Sequence, residues 1–487
     1  MSVSALPPIS SSPMPVPPKR SAGTTAGTMA PPPHAVIVER RAYGVTRRND
    51  APRSSHALWT PSPDRPDPIS LLEASNRSRI HDLTPIRYGR MLASPFAFLR
   101  GSAIIMASDL STTPNSGIHV QLTGDAHICN YGVFATPERK VVFGINDFDE
   151  TLPGPWEWDL KRLAASIIVA GRENGFSNAT CREAAELAVR TYRERMHEFS
   201  TMSHMEVWCF EIDVRQLFSS LMDEADMQRG KRAIKKTDQR TVRQAERRTA
   251  DRDLGKLAEV VNGQLRLKNN PPLLVRVEDP KMLERLRGLT ERYRATLEDN
   301  RDVLLNRYHL VDVARKVVGV GSVGTYCGIA LMLGNDGEDP LFLQLKEAQP
   351  SVMEAYVGRS RFSNSGQRVV YGQRLIQAAS DIFLGWTRSG NIDFYVRQLH
   401  DMKYSPEIDE LDKVNFTVYV MACAYALARA HARSGDAAQI SGYIGGSDKF
   451  DRAITTFAEV YADQNERDYT ELVAATRSGR VPAEMGV

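Results

Sequence analysis

Gly124-Asp125-Ala126-His127-Ile128-Cys129-Asn130, followed by Asn146-Asp147-Phe148-Asp149, sets an aspartate, an asparagine five residues on and a second aspartate into one short unit. Residues 118–122 alternate apolar and polar side chains as a half-buried strand does, and they stop at Thr123-Gly124, where a turn must follow. Val141 to Ile145 reads as a second buried strand that delivers Asp147 at its C-terminal end. These residue types suit phosphate chemistry: a carboxylate that accepts a hydroxyl proton, with an amide and a second carboxylate that hold a hard divalent cation against phosphate oxygens. Asp125 is therefore the expected base, Asn130 and Asp147 the expected magnesium ligands, and Asp149 shares that metal or binds substrate. His127 reads as a base or metal ligand, or as a residue that orients the loop, since no second histidine stands at ligand spacing.

A glycine-rich segment, Gly319-Val320-Gly321-Ser322-Val323-Gly324, comes later. In a dinucleotide fold such glycines open a helix, whereas here Lys316-Val317-Val318 leads in as a strand and residues 326–333 lead out as another. The turn Gly334-Asn335-Asp336-Gly337 then passes to residues 341–346, which predicts a three-stranded antiparallel meander. Backbone amides of Gly319, Gly321, Ser322 and Gly324 are the expected phosphate cover, and Lys346 the expected phosphate anchor. Its acidic partner is expected to be Glu354, or Glu347, although alternation along a strand sends Glu347 to the other face. The plainer alternatives are a glycine-rich hairpin without a ligand and a solvated lysine at a strand end.

The 487 residues, 42% hydrophobic and 25% charged, fit a globular chain, and no apolar run approaches the length that spans a bilayer. With 62 basic against 59 acidic residues, a net charge of +3 argues against nucleic acid or membrane as the main partner. Five cysteines without a C-x-x-C pair point to a reducing compartment, taken as cytoplasmic, and away from a disulfide scaffold or a cysteine zinc site. The N-terminus lacks the basic head and apolar core of a secretory signal. Residues 1–67, rich in Pro and Ser, are expected to be a disordered tail, with order beginning near Pro68.

Phe96, Phe98 and residues 103–106 look like a strand pair, and Arg100 between them could reach a phosphate or sit in a surface salt bridge. Helical spacing begins at Trp158 and returns at 368–380 and 414–431, with strands at 381–387 and 393–399. A basic run at 229–256 lacks interleaved aromatics, so it reads as a solvated helix face or connector, with polyanion binding as the lesser alternative. The expected division is 1–67, 68–310 bearing the catalytic loop and metal site, 311–405 bearing the glycine loop, and 406–487 completing the helical part.

The Gly124–Asn130 loop, Asn146-Asp147-Phe148-Asp149 and Trp158-Asp159-Leu160 resemble the aminoglycoside and choline phosphotransferase branch of the protein-kinase-like fold. More closely, the chain from about Pro68 resembles the bacterial domain-of-unknown-function family 2252. Arg90-Met91, Ser94-Pro95-Phe96, Arg100-Gly101, Asn146 to Glu150, Val318 to Thr325, Leu345-Lys346-Glu347-Ala348 and Tyr395-Val396-Arg397-Gln398-Leu399 carry that likeness. It implies an α+β, bilobal protein-kinase-like fold, circularly permuted, in which a small antiparallel-sheet lobe follows a larger, mainly helical one. It also implies Mg-ATP-dependent transfer to an unnamed hydroxyl-bearing acceptor, with Asp159 bracing the catalytic loop. Thr123 stands where the phosphotransferases often carry histidine. Nucleotidyl transfer and a nucleotide-binding module without catalysis are the competing expectations.

Overall fold

The computed structural model describes residues 30–217, 250–261, 263–279, 288–335, 339–399 and 403–486. At its centre lies the helix Lys413–Ser434, started by Asp412, whose carboxylate accepts from the Asn415 N–H at 2.8 Å. Every residue from Phe416 to Ala432 is buried, as expected of a helix without a polar face. Asn178–Phe199 and Glu157–Glu173 pack against it, Lys449–Arg477 packs on those two helices, and all share one hydrophobic core.

Three hairpin-like pairs and one larger sheet complete the α+β architecture. Strand β1 (His119–Leu122) pairs antiparallel with β4 (Leu152–Pro155), β2 (Tyr131–Ala135) with β3 (Val141–Ile145), and β5 (Ala258–Val261) with β6 (Gln264–Leu267). The larger sheet contains β7 (Leu274–Arg276), β8 (His309–Lys316), β9 (Cys327–Leu333), β10 (Pro340–Ala348), β11 (Gly385–Ser389) and β12 (Ile392–Gln398). Its order is β11-β12-β10-β9-β8-β7, antiparallel throughout, so the predicted meander is its β8-β9-β10 centre. On β10 the pleat sends Leu341 and Leu343 to one apolar cluster and Phe342 to another.

The helix Ser365–Ile376 joins sheet to helical body. Gly366 lies against β12, where a Cβ would stand 2.1 Å from the Phe394 carbonyl, and Gly372 lies against Thr151, the residue before β4. From the same helix the buried Arg368 donates to the carbonyls of Asp149, Thr151 and Gln349, each at 2.7 Å. The segment bearing the acidic residues and the end of β10 are thus fixed by one guanidinium.

Two expectations fail. The apolar stretch expected as a strand pair forms the helices Pro95–Gly101 and Ala103–Leu110: Ser94 accepts from the Ala97 N–H at 3.0 Å with Pro95 in the first turn, a start signal stronger than β-like composition. Order also begins well before Pro68. The helix Ile37–Thr46 packs on Ala437–Ile444, Trp59 meets Phe457 edge-on and Tyr461 at a tilt, and Arg65 pairs with the buried Asp109 and Asp468 at 2.7 and 2.6 Å. A composition averaged over 67 residues hides these anchors, whose partners lie in distant sequence. Residues 1–29 of the expected tail, and residues 229–249 of the basic run, lie outside the described residues.

Candidate functional site

The loop after β1 owes its shape to Gly124 and Asp159. Gly124 has φ +81°, and a Cβ there would fall 2.3 Å from the Glu150 carbonyl, so both conformation and space require glycine. The buried Asp159 carboxylate accepts from the Thr123 and Gly124 N–H groups at 2.7 and 3.0 Å. It is held in turn by His431 Nε2 at 3.2 Å, whose Nδ1 meets Tyr192 Oη at 2.8 Å. Further along, Asn130 Nδ2 donates to the Asp125 carbonyl at 2.7 Å, which leaves its side-chain oxygen available.

Asp125 meets a buried arginine that the sequence did not single out. Arg162 donates from Nε and Nη2 to Asp125 Oδ1 at 2.8 and 2.6 Å, and its Nη2 also reaches the Leu99 carbonyl at 2.7 Å. Only Oδ2 is left to accept a proton, 3.6 Å from His127 Nε2. Burial pushes the His127 imidazole down to about 4, so it is neutral at pH 7, and among the described residues its Nδ1 has no hydrogen-bond partner. Orientation of the loop comes from the His127 backbone, which donates to the Asp125 carbonyl and accepts from the Asn130 N–H, both at 2.9 Å.

Strand β3 delivers Asp147 and Asp149 against the face of the larger sheet. In the register Lys346 stands opposite Tyr395 and Gln344 opposite Arg397, so these four side chains share a face. Asp149 pairs with Lys346 Nζ and accepts from Tyr395 Oη at 2.8 Å and Ser322 Oγ at 3.4 Å. Asp147 accepts the Asp149 N–H through Oδ1 at 3.1 Å. Burial opposes its charge, but Lys346 and Arg397 outweigh that and hold its carboxyl below the usual range. For Lys346 burial likewise opposes charge, and Asp147 with Asp149 hold its ammonium well above the usual range. The carboxylate on Lys346 is therefore Asp149, not Glu354, which lies near the Ser351 N–H at 3.4 Å, nor Glu347, which accepts from the Tyr326 N–H at 2.8 Å. Arg397 and Lys403 both donate to the Asn146 carbonyl, at 3.3 and 2.9 Å.

The glycine loop is docked on the N-terminal helices. Gly319 and Gly324 have φ +62° and +87°; the Gly324 carbonyl accepts from Ile80 N–H at 2.7 Å, that of Val323 from Arg79 at 2.6 Å, and that of Gly319 from Arg90. Val323 is buried with Leu83, Ile86 and Val317. A cleft opens between this loop and the acidic loops. Asp125, His127, Asn130, Asp147, Asp149, Gly319, Gly321 and Ser322 all line it, and Lys346 sits behind Asp149.

Among the described residues no three His, Cys, Asp or Glu side chains form a metal-holding group. Asp147 Oδ2 and Asn130 Oδ1 are the donors left without a hydrogen bond among the described residues, a set that suits magnesium, which fills its octahedron largely with phosphate oxygens and water. Asp149 has both oxygens engaged. Tyr395 and Arg397 were detectable as an i, i+2 pair on one strand face, whereas nothing local in the sequence announces Arg162 or Arg368.

No helix of the described residues is long and apolar enough to cross a membrane, and all five cysteines are free. Neither the curated proteins nor the solved structures contain a significant match to the chain. The profile of one family matches residues 79–475, which takes in every residue of the cleft named above, and the chain belongs to that family, described as uncharacterized protein conserved in bacteria (DUF2252).

Proposed function

We propose that the cleft belongs to a magnesium- and ATP-dependent phosphotransferase acting on a hydroxyl-bearing acceptor, on a bilobal protein-kinase-like fold whose glycine-loop lobe follows its catalytic lobe. The observation that carries the reading is the convergence of Asp125, Asn130, Asp147 and the glycine loop on one cleft, from segments far apart in the chain. Asp125 Oδ2 takes the acceptor's proton as the acceptor oxygen bonds to the terminal phosphorus, while the bridging P–O bond breaks and ADP leaves with its electron pair. Arg162 holds that carboxylate in place, and Lys346 exchanges Asp149 for nucleotide phosphates. Asp147 and Asn130 would hold magnesium, which when bound neutralises phosphate charge.

The engaged state of Lys346 and Asp149 favours a second reading, a module that binds nucleotide without turning it over. Nucleotidyl transfer is a variant of the first reading, distinguished by release of pyrophosphate. Calorimetric titration of ATP with and without magnesium separates these. Magnesium-dependent binding that weakens about tenfold or more in both Asp147→Ala and Lys346→Ala supports a shared nucleotide site. ADP production in cell extract that is lost in Asp125→Asn then selects the enzyme. Absence of ATP binding under every condition sinks all three.

A further inference from the structure

The wall of the cleft facing the acidic loops carries arginines that make no direct ion pair among the described residues. Arg79, Arg87 and Arg100 line it, and among the described residues none forms an ion pair with a carboxylate. Arg79 donates to the carbonyls of Val323 and Ser75 at 2.6 and 3.3 Å. Arg87, 2% exposed, donates to Ser75 Oγ at 2.9 Å, to the Gly101 carbonyl at 2.8 Å and to Asn76, while its Nε has no partner among the described residues. The half-buried Arg100 lies 6.0 Å over the Phe96 ring and makes no hydrogen bond among the described residues.

Three guanidinium groups on one wall without a direct ion pair, with Glu150, Glu347 and Asp149 acting on Arg79 only at longer range, are a costly arrangement that a bound anion would complete. The arc is continuous: Ser75 links Arg79 to Arg87, and Gly101 links Arg87 to Arg100. From there the Leu99 carbonyl leads through Arg162 to Asp125. Its Arg100 end is therefore joined to the expected base through a single arginine.

We propose that Arg100, backed by Arg87 and Arg79, binds a phosphate monoester on the acceptor, so that the substrate is an already phosphorylated alcohol whose free hydroxyl is presented to Asp125. This rests on the phosphotransferase reading for the role of the acceptor; the anion subsite itself does not. A dianionic phosphate matches three guanidinium groups better than a singly charged carboxylate, and the planar fork of arginine suits its oxygens. An anionic acceptor also needs such a wall to offset Asp147 and Asp149 opposite.

The probe is inorganic phosphate, titrated calorimetrically into the full chain with and without a saturating non-hydrolysable ATP analogue and magnesium. Phosphate is expected to bind in both conditions, about tenfold more tightly than acetate. Arg100→Gln should weaken it about tenfold while leaving analogue affinity unchanged, and Arg100→Lys should fall between, which guards against a folding defect. No phosphate binding, equal binding in Arg100→Gln, equal binding of acetate, or displacement of phosphate by the analogue each overturns the proposal. Arg100-dependent phosphate binding in a chain that binds no analogue leaves the subsite standing and removes the phosphotransferase reading.

Discussion

His127 carries a consequence that its motif does not suggest. Its imidazole is 4% exposed with a pKa pushed down to about 4, against an ordinary value near 6.5 in the unfolded chain. The folded state binds this proton later than the unfolded state, so stability falls as pH drops from about 6.5 towards 4. For this group the loss between pH 7.5 and 4.5 is about 2–3 kcal/mol at 1.36 kcal/mol per unit. Denaturation of the wild type and His127→Phe across that range should show the wild type losing that much more; parallel curves would mean that His127 is not buried neutral. Any ionisation near pH 6.5 in an activity profile must then come from elsewhere. At this scale the sequence revealed the residues that local spacing defines: Asp125, Asn130 and Asp147 line the cleft together. It did not reveal Arg162 or Arg368, because each acquires its role from a partner that only the fold brings near.

Among the elements, helix contact near the N-terminus depends on two glycines. Gly44 on Ile37–Thr46 and Gly442 on Ala437–Ile444 face each other's backbones: a Cβ on Gly44 would stand 2.0 Å from the Gln439 carbonyl, and one on Gly442 2.1 Å from that of Arg41. Arg48 and Arg53 add donors to the carbonyls of Gly442, Tyr443 and Ile444 at the C-terminal end of that helix. Gly442→Ala gains helix propensity of about 1 kcal/mol but forces the pair apart, and overpacking costs about 1–3 kcal/mol. Net destabilisation by chemical denaturation is expected, with Gly44→Ala/Gly442→Ala costing less than the two single changes summed, because one separation relieves both clashes. A stabilised Gly442→Ala would show that the helices do not touch as described. Strand periodicity was legible wherever one face is buried, as in β1, β3, β9, β10 and β12. It misled at Phe96 and Phe98, where residues buried on several sides carry no period and only the Ser94-Pro95 start marks a helix.

At the scale of the molecule, the N-terminal segment behaves as part of the helical body. Trp59 is 6% exposed between Phe457 and Tyr461, and Arg65 is the cation for both Asp109 and Asp468, which are nearly fully buried. Removing the arginine leaves two carboxylates close together in a low-dielectric interior; losing one partner of such a pair costs about 3–5 kcal/mol. Truncating a buried Trp to Ala costs about as much again. Together these approach the whole stability of an ordinary domain, about 5–15 kcal/mol. A chain begun at Pro68 is therefore expected to melt far below the full chain or to fail to fold, by circular dichroism and calorimetry at equal concentration. The carboxylate mechanism adds a distinguishing sign. Arg65→Met should be less destabilised at pH 4.5 than at pH 7.5, because burial raises the Asp109 carboxyl and protonating it removes an unpaired buried charge, whereas Trp59→Ala should show no such recovery relative to wild type. Equal melting of the full and shortened chains would mean that the segment rests on the body without supporting it.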